Sequence, residues 1–171
     1  MRWPSVPWTS SIWFASGCRE PHAVSDRLLV QDAMTADVLK ISPEHSVATA
    51  AERMSAHGVR ALPVVNDSGE VVGLITDQEV MDRCLPWIGV RFEAGSVKEA
   101  LHSLESTPAR ELMQRRVLCV NQDQVLHEVA ALMIHKDIER CPVVADGALV
   151  GILTRGDILR RLLTEMAREI E

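Results

Sequence analysis

Two residues near the C-terminal end, Thr154 and Asp157, have the types and the spacing of a site for a phosphorylated sugar. They directly follow the apolar run 149–153, which predicts that they lie where a strand passes into a helix. The first turn of a helix exposes unpaired N–H groups that favour anions, and a threonine hydroxyl there can donate to a phosphate. A carboxylate three residues later can accept hydrogen bonds from both hydroxyls of a ribose.

The same two residues also fit a purely structural role. With Thr154 as N-cap and Asp157 at the third helical position, they would form a capping box that satisfies the exposed N–H groups of the helix start. The residues alone therefore predict a helix start, and they leave open whether it also binds a ligand.

Two arginines are candidates for binding the phosphate. Arg60 lies three residues before Pro63, and Arg140 lies two residues before Pro142, so each is expected at the start of a strand. A guanidinium there can reach a phosphate in a neighbouring cleft, although a surface ion pair explains each arginine equally well. A pocket between valine, leucine and isoleucine side chains would also suit the faces of a purine.

The elements that must position these residues occur twice in the chain. Residues 30–83 are repeated at 109–161 with an offset of 79 residues, which becomes 78 after a deletion near Ser68. Each copy reads as a helical lead-in, a strand, an amphipathic helix, a hairpin and a final helix. The predicted fold is therefore an α/β (α+β) module of two tandem β-α-β-β-α repeats that stack and bury a shared face.

Local signals support these elements. Ser46 is the expected N-cap of the first amphipathic helix, and Asp146-Gly147 between two apolar runs predicts a tight hairpin. The predicted lead-ins are 28–34 and 109–113, and the predicted first strands are 38–41 and 117–120. The final helix carries an apolar stripe that needs a partner, formed by Ile158, Leu159, Leu162, Leu163, Met166 and Ile170.

Two segments have no counterpart in the other repeat. The N-terminal segment holds three of the four tryptophans without periodicity, and we expect it to be disordered and dispensable. In the segment between the repeats, Pro86 is expected to break the chain and Ser96 to cap a short helix at 97–104. The predicted organisation is a leader at 1–24, a first repeat at 25–85, a linker at 86–108 and a second repeat with its C-terminal helix at 109–171.

Composition excludes several classes of function. A net charge of −6 with 47% hydrophobic residues predicts a soluble, cytoplasmic protein and argues against nucleic acid or a membrane as partner. The four cysteines contain no Cys-x-x-Cys pair, and the six histidines form no metal motif, so we expect no metal and no cofactor. Cys119 and Cys141 read as buried thiols, with a redox pair as the alternative. No catalytic set is evident, so we expect that the protein is not an enzyme.

The order of motifs in the two copies resembles a known family. Met-Thr-x-x-Val at 34–38 is followed by Gly-Val-Arg-Ala-Leu-Pro-Val-Val at 58–65 and Val-Gly-Leu-Ile-Thr at 72–76, and the second copy ends in Thr-x-x-Asp at 154–157. This pattern resembles the CBS (cystathionine-beta-synthase) domain, of which a tandem pair is called a Bateman module. The resemblance extends from Val30 to about Leu163, nearly all of the chain outside the leader.

The resemblance implies a two-fold related disc with two clefts, and it does not imply catalysis. It further implies frequent homodimers and an adenosine-type ligand, which is AMP, ADP, ATP or S-adenosylmethionine. The expected function is that of a stand-alone regulatory module that binds such a ligand between the repeats and signals its level to an unidentified protein. The alternative is a structural or interaction disc whose clefts bind no physiological nucleotide.

Carried over by position, the resemblance implies two unequal clefts. Asp157 would hold the ribose and Thr154 the phosphate of the second cleft. In the first cleft Thr76 matches the threonine, but Glu79 replaces the aspartate and would crowd the ribose because it is one methylene longer. The residues implied to complete the clefts are Val117, Ile138 and Pro142 around the base of the second, and Val38, Arg60, Leu62 and Pro63 in the first.

Overall fold

The structure is a computed structural model that describes the backbone of residues 28–88 and 94–170 and the side chains of residues 28–84 and 97–168. The leader predicted at 1–24 lies outside these residues. The mixed α/β architecture confirms the predicted fold class. In chain order the elements are a 3₁₀ turn at Val30–Asp32, β1 (Thr35–Ala36), α1 (Val47–His57), β2 (Ala61–Val65), β3 (Val71–Thr76), α2 (Asp77–Ile88), α3 (Ala94–Ser106), α4 (Ala109–Leu112), β4 (Val120–Asn121), α5 (Leu126–His135), β5 (Arg140–Ala145), β6 (Ala148–Thr154) and α6 (Arg155–Ile170).

Helix α1 begins and ends at the residues that its sequence favours. The Ser46 side chain accepts a hydrogen bond from the backbone N–H of Thr49 at 3.2 Å, which confirms the predicted N-cap. Gly58 ends the helix with a φ of 64°, a left-handed conformation that glycine adopts without strain. The helix buries Val47 and Met54 against the strands that follow.

The hairpin of the second repeat places the predicted site residues side by side. Asp146 and Gly147 have φ values of 48° and 82°, as a two-residue type I′ turn requires. From this turn β5 and β6 pair antiparallel until Arg140 lies opposite Thr154. The register thus carries the arginine at the start of one strand to the threonine at the end of the next.

Each repeat receives a short segment of the other repeat at its sheet. Thr35 pairs with Ile152, which adds β1 to a four-stranded sheet of order β1-β6-β5-β4. At the equivalent place of the first repeat, Gln114 forms an antiparallel bridge to Leu74 beside the β2–β3 hairpin. The two exchanged contacts have the same register, so they obey the two-fold relation that the repeats predict.

The exchanged segments also enter the hydrophobic cores. Leu28 and Val30 are buried in the core of the second repeat, while Met113 packs on the core of the first. A Cβ at Gly73 would lie 2.5 Å from the sulfur of Met113, and one at Gly151 would lie 2.7 Å from the sulfur of Met34. A side chain at either glycine would therefore push the partner segment off the sheet.

The first strand of each repeat and the linker differ from their predictions. Instead of a strand at 38–41, the first repeat has β1 and a single parallel bridge between Ile41 and Val64. In the second repeat the strand predicted at 117–120 is reduced to β4 at Val120–Asn121, which begins three residues later than predicted. Helix α2 continues through Pro86 to Ile88, and α3 begins at Ala94 rather than after a cap at Ser96.

No helix of the described part of the chain is both long enough and apolar enough to cross a membrane.

Candidate functional site

Thr154 and Asp157 form the capping box that their spacing allows. The Thr154 backbone N–H and hydroxyl donate to Oδ2 of Asp157 at 3.0 and 2.7 Å, and the Asp157 N–H donates to the Thr154 hydroxyl at 3.1 Å. The carboxylate is nearly buried, with 7% of the residue exposed. Its second oxygen, Oδ1, lies 3.2 Å from the guanidinium of Arg160, whose side chain is 77% exposed. Oδ2 therefore caps the start of the helix. Oδ1 is paired with Arg160, an exposed side chain that can move away and leave this oxygen able to accept another hydrogen bond.

A cavity of about 950 Å³ opens beside this capping box. Its volume lies within the range of small-molecule sites. Three segments line it: residues 35–39 of the first repeat, residues 57–61 at the end of α1 and the start of β2, and the place where the start of β5 lies beside the end of β6. The lining combines apolar side chains, among them Val38 and Ile152, with Thr154, Asp157 and the start of α6. It could therefore contact both a flat apolar group and an anion of one ligand.

The cavity linings group the predicted residues differently from the two clefts that the resemblance implies. Val38, expected in the first cleft, lines the cavity beside Asp157. Ile138, expected in the second cleft, lines a separate, smaller cavity beside Thr76. The reason is the exchange of β1, which brings the first repeat's 35–39 segment against β6. The remaining predicted wall residues lie outside both cavities: Val117 is half-buried elsewhere, and Leu62, Pro63 and Pro142 are buried within their strands.

A smaller cavity of about 450 Å³ lies at the equivalent place of the first repeat, beside Thr76. The Thr76 N–H donates to Oε2 of Glu79 at 2.8 Å, and its hydroxyl donates to the same oxygen. The side-chain amide of Gln114 donates to Oε1. Both oxygens of this carboxylate are therefore engaged, and one of the donors is a side chain from the other repeat.

The hydrogen bonds to Glu79 change its acidity. Burial alone would raise the pKa of Glu79, but hydrogen bonds from Thr76 and Gln114 outweigh burial and hold this pKa below its ordinary value of 4.5. Sequence reasoning missed Gln114. The signal was available, since Gln114 is the counterpart of Thr35 at the 79-residue offset.

Arg60 and Arg140 line both cavities. Arg140 is held in place, since it donates to the carbonyl of Arg60 at 2.9 Å and to the carboxylate of Glu139 at 2.8 Å, and its side chain is 18% exposed. Arg60 pairs with Asp77 at 2.8 Å and is 76% exposed. The hydrogen bond with Asp77 and the negative charge of that residue raise the pKa of Arg60. Both arginines thus form ion pairs and face the cavities at once.

Arg155, the first residue of α6, acts as a clamp that sequence reasoning did not find. Its guanidinium donates to the carbonyl oxygens of Ile138 at 2.9 Å and Met133 at 3.3 Å, and to the carboxylate of Asp137 at 2.9 Å. These acceptors lie where α5 ends and the chain turns into β5. The clamp therefore fixes one wall of the larger cavity.

Thiols and metal ligands form no site in the described part of the chain. Cys84, Cys119 and Cys141 are free thiols there, and burial together with the nearby Cys119 raises the pKa of Cys141 to about 12. At neutral pH Cys141 is therefore protonated and unreactive. Among the same residues, no group of three or more histidine, cysteine, aspartate or glutamate side chains could hold a metal ion.

Comparison with known proteins assigns the architecture to a family. The family model of the CBS domain matches residues 30–85 and 109–164. The chain belongs to the CBS-domain family. CBS-domain pairs are regulatory modules, so the family indicates regulation rather than catalysis.

Two curated relatives differ in the share of their length that the chain spans. It is 31% identical to the CBS domain-containing protein YhcV of Bacillus subtilis over 129 residues. This match covers 75% of the chain and 81% of YhcV. It is 32% identical over 125 residues to an uncharacterised protein of Methanopyrus kandleri, which covers 72% of the chain but only 57% of that protein.

Among solved structures, the CBS-domain pair resembles CBSX2 of Arabidopsis thaliana in complex with AMP. The TM-score is 0.66 at 28% identity, and the match covers 81% of this chain and 98% of CBSX2.

Proposed function

We propose that this CBS-domain pair is a regulatory module that binds an adenosine-type ligand, namely AMP, ADP, ATP or S-adenosylmethionine, and signals its level to a partner protein. The observation that carries the proposal is the larger cavity between the repeats. It combines apolar side chains, the carboxylate of Asp157, a helix N-terminus and three arginines within about 950 Å³. The AMP complex of the related CBSX2 supports the same class of ligand.

Each part of the ligand has a counterpart in this cavity. The purine would lie against Val38 and Ile152, because flat apolar faces favour aliphatic walls. Oδ1 of Asp157 would accept from the ribose hydroxyls in place of Arg160. The phosphate would lie at the N-terminus of α6 near Thr154, where the helix dipole favours an anion and the lining includes Arg60 and Arg140.

The smaller cavity is proposed to be the weaker site or no site. Glu79, the counterpart of Asp157 by sequence, is not among the residues that line this cavity, and it already accepts hydrogen bonds from Thr76 and from the Gln114 amide. A ribose that binds Glu79 would have to displace the Gln114 amide. Gln114 is uncharged, so unlike Arg160 beside Asp157 it could not form an ion pair with another group once displaced. Its volume, about 450 Å³, is also half that of the larger cavity. One ligand per chain is therefore expected.

The rival function is an interaction disc that binds no nucleotide, and the complete capping box of Thr154 and Asp157 favours it. Thermal unfolding with AMP, ADP, ATP and S-adenosylmethionine separates the two. A ligand at about 100 times its Kd should raise the free energy of unfolding by about 2.7 kcal/mol. If none of the four ligands raises the melting temperature at millimolar concentration, the disc is the better explanation.

A further inference from the structure

Arg60 has a fixed backbone and a side chain that is held mainly by one residue. Its carbonyl accepts hydrogen bonds from the Asp77 N–H at 3.0 Å and from the Arg140 guanidinium at 2.9 Å. Its own guanidinium is 76% exposed and donates through Nε to Oδ2 of Asp77 at 2.8 Å. The side chain can therefore reorient without moving the backbone between the two cavities that it lines.

Asp77 is placed to hold this side chain on one side. It is the first residue of α2 and lines the smaller cavity, whereas the larger cavity is lined by Arg60 without Asp77. The second repeat has no such arrangement, because Glu139 stands at the position of Arg60 and Arg155 at the position of Asp77. The Arg60–Asp77 pair is thus a property of this sequence rather than a requirement of the two-fold fold.

The other cations of the larger cavity have less freedom. Arg140 is bound to a carbonyl and to Glu139 and is only 18% exposed. Arg155 holds two carbonyls and Asp137. Each of these three arginines forms one ion pair, but Arg140 and Arg155 also donate to carbonyl oxygens, whereas the Arg60 guanidinium donates to Asp77. Releasing Arg60 therefore breaks fewer hydrogen bonds than releasing either of the others.

We infer that Asp77 competes with the phosphate of a bound nucleotide for the guanidinium of Arg60, so that it lowers the affinity of the larger cavity for phosphorylated ligands. The inference rests on the proposed function. The Nε–H of Arg60 donates to Asp77, which lines only the smaller cavity, so the carboxylate holds the guanidinium on that side and offsets its charge. A phosphate in the larger cavity is an acceptor for the same cation and would have to draw it away from Asp77. Binding of a phosphate would leave Asp77 without its cation at the start of α2. Occupancy of the larger cavity would thereby change the charge at the smaller one.

Calorimetry with AMP and with adenosine tests the competition, since adenosine has no phosphate. In Asp77→Asn the guanidinium loses its charged competitor, and AMP should bind about two- to fivefold more tightly, as expected for an exposed ion pair. The affinity for adenosine should stay the same. Asp82→Asn is the matched control, because Asp82 carries the same charge on the same helix, accepts from Gln78 and lines neither cavity.

An Arg60→Gln background shows whether the effect passes through Arg60. There Asp77→Asn should no longer change the affinity for AMP, because the two residues act as a pair. The inference is overturned if Asp77→Asn leaves AMP binding unchanged or weakens it, which would mean that Arg60 binds both groups at once. An equal gain in Asp82→Asn or in the Arg60→Gln background would also overturn it, by showing a general charge effect. If the wild-type protein binds neither AMP nor adenosine, the proposed function fails as well.

Discussion

Replacing Asp157 separates its two roles, the helix cap and the proposed contact with the ribose. Asp157→Ala removes the acceptor of two hydrogen bonds from Thr154 together with the carboxylate charge. Charge-assisted hydrogen bonds contribute about 1.5–3 kcal/mol each, so losing one to the ribose should weaken nucleotide binding about tenfold or more. Losing the cap should lower the free energy of unfolding by about 1 kcal/mol.

The first repeat supplies the control for this experiment. Glu79→Ala removes the equivalent cap on α2 and leaves the larger cavity intact. It should lower stability by a similar amount and leave nucleotide affinity close to that of the wild type. Asp157→Asn adds a third point, because its amide oxygen can still accept from the Thr154 N–H while the charge is gone. It should retain most of the stability and lose most of the affinity.

Titration calorimetry for Kd and thermal unfolding for stability decide between the two roles. The reasoning is refuted if Asp157→Ala binds the nucleotide as tightly as the wild type. It is equally refuted if Glu79→Ala loses as much affinity as Asp157→Ala, since the effect would then come from the caps and not from the cavity.

Three further predictions concern acidity, assembly and the N-terminus. Because the pKa of Glu79 lies below its ordinary value of 4.5, its stabilising contribution is present above about pH 4.5 and is lost as the pH falls through the folded-state pKa. The melting temperatures of wild type and Glu79→Gln should therefore differ at pH 7 and converge on acidification. A difference that stays constant with pH would contradict this assignment. Leu159, Leu163 and Met166 of α6 are 58%, 57% and 61% exposed, so we expect a homodimer that the double change Leu163→Glu and Met166→Glu dissociates, whereas light scattering of a wild-type monomer at micromolar concentration would disprove it. Deleting residues 1–24 should leave the melting temperature within about two degrees of the full chain, and a large loss of stability would show that the tryptophans pack on the core.

Features that depend on neighbours in sequence were predictable, and features that depend on the exchange between repeats were not. The Ser46 cap, the Asp146-Gly147 turn and the Thr154–Asp157 box each involve residues at most three positions apart. The contact of Gln114 with Glu79 joins residues 35 positions apart and arises only because the second lead-in crosses to the first repeat. The reciprocal crossing of β1 to the second repeat places Val38 at the cavity of Asp157, which no periodicity within one repeat could indicate.

The exchange of β1 and of the segment around Gln114 has a consequence for how such a chain could arise and be divided. Each half contributes a short extended segment to the sheet of the other half. That segment packs over the groove left by the missing side chain of Gly73 or Gly151. A polypeptide with a single copy would have this groove empty and its own lead-in unplaced, so it could fold only by trading lead-ins with a second molecule. Two separately expressed halves, divided between residues 88 and 94, would still contain both exchanged segments, and we expect them to associate.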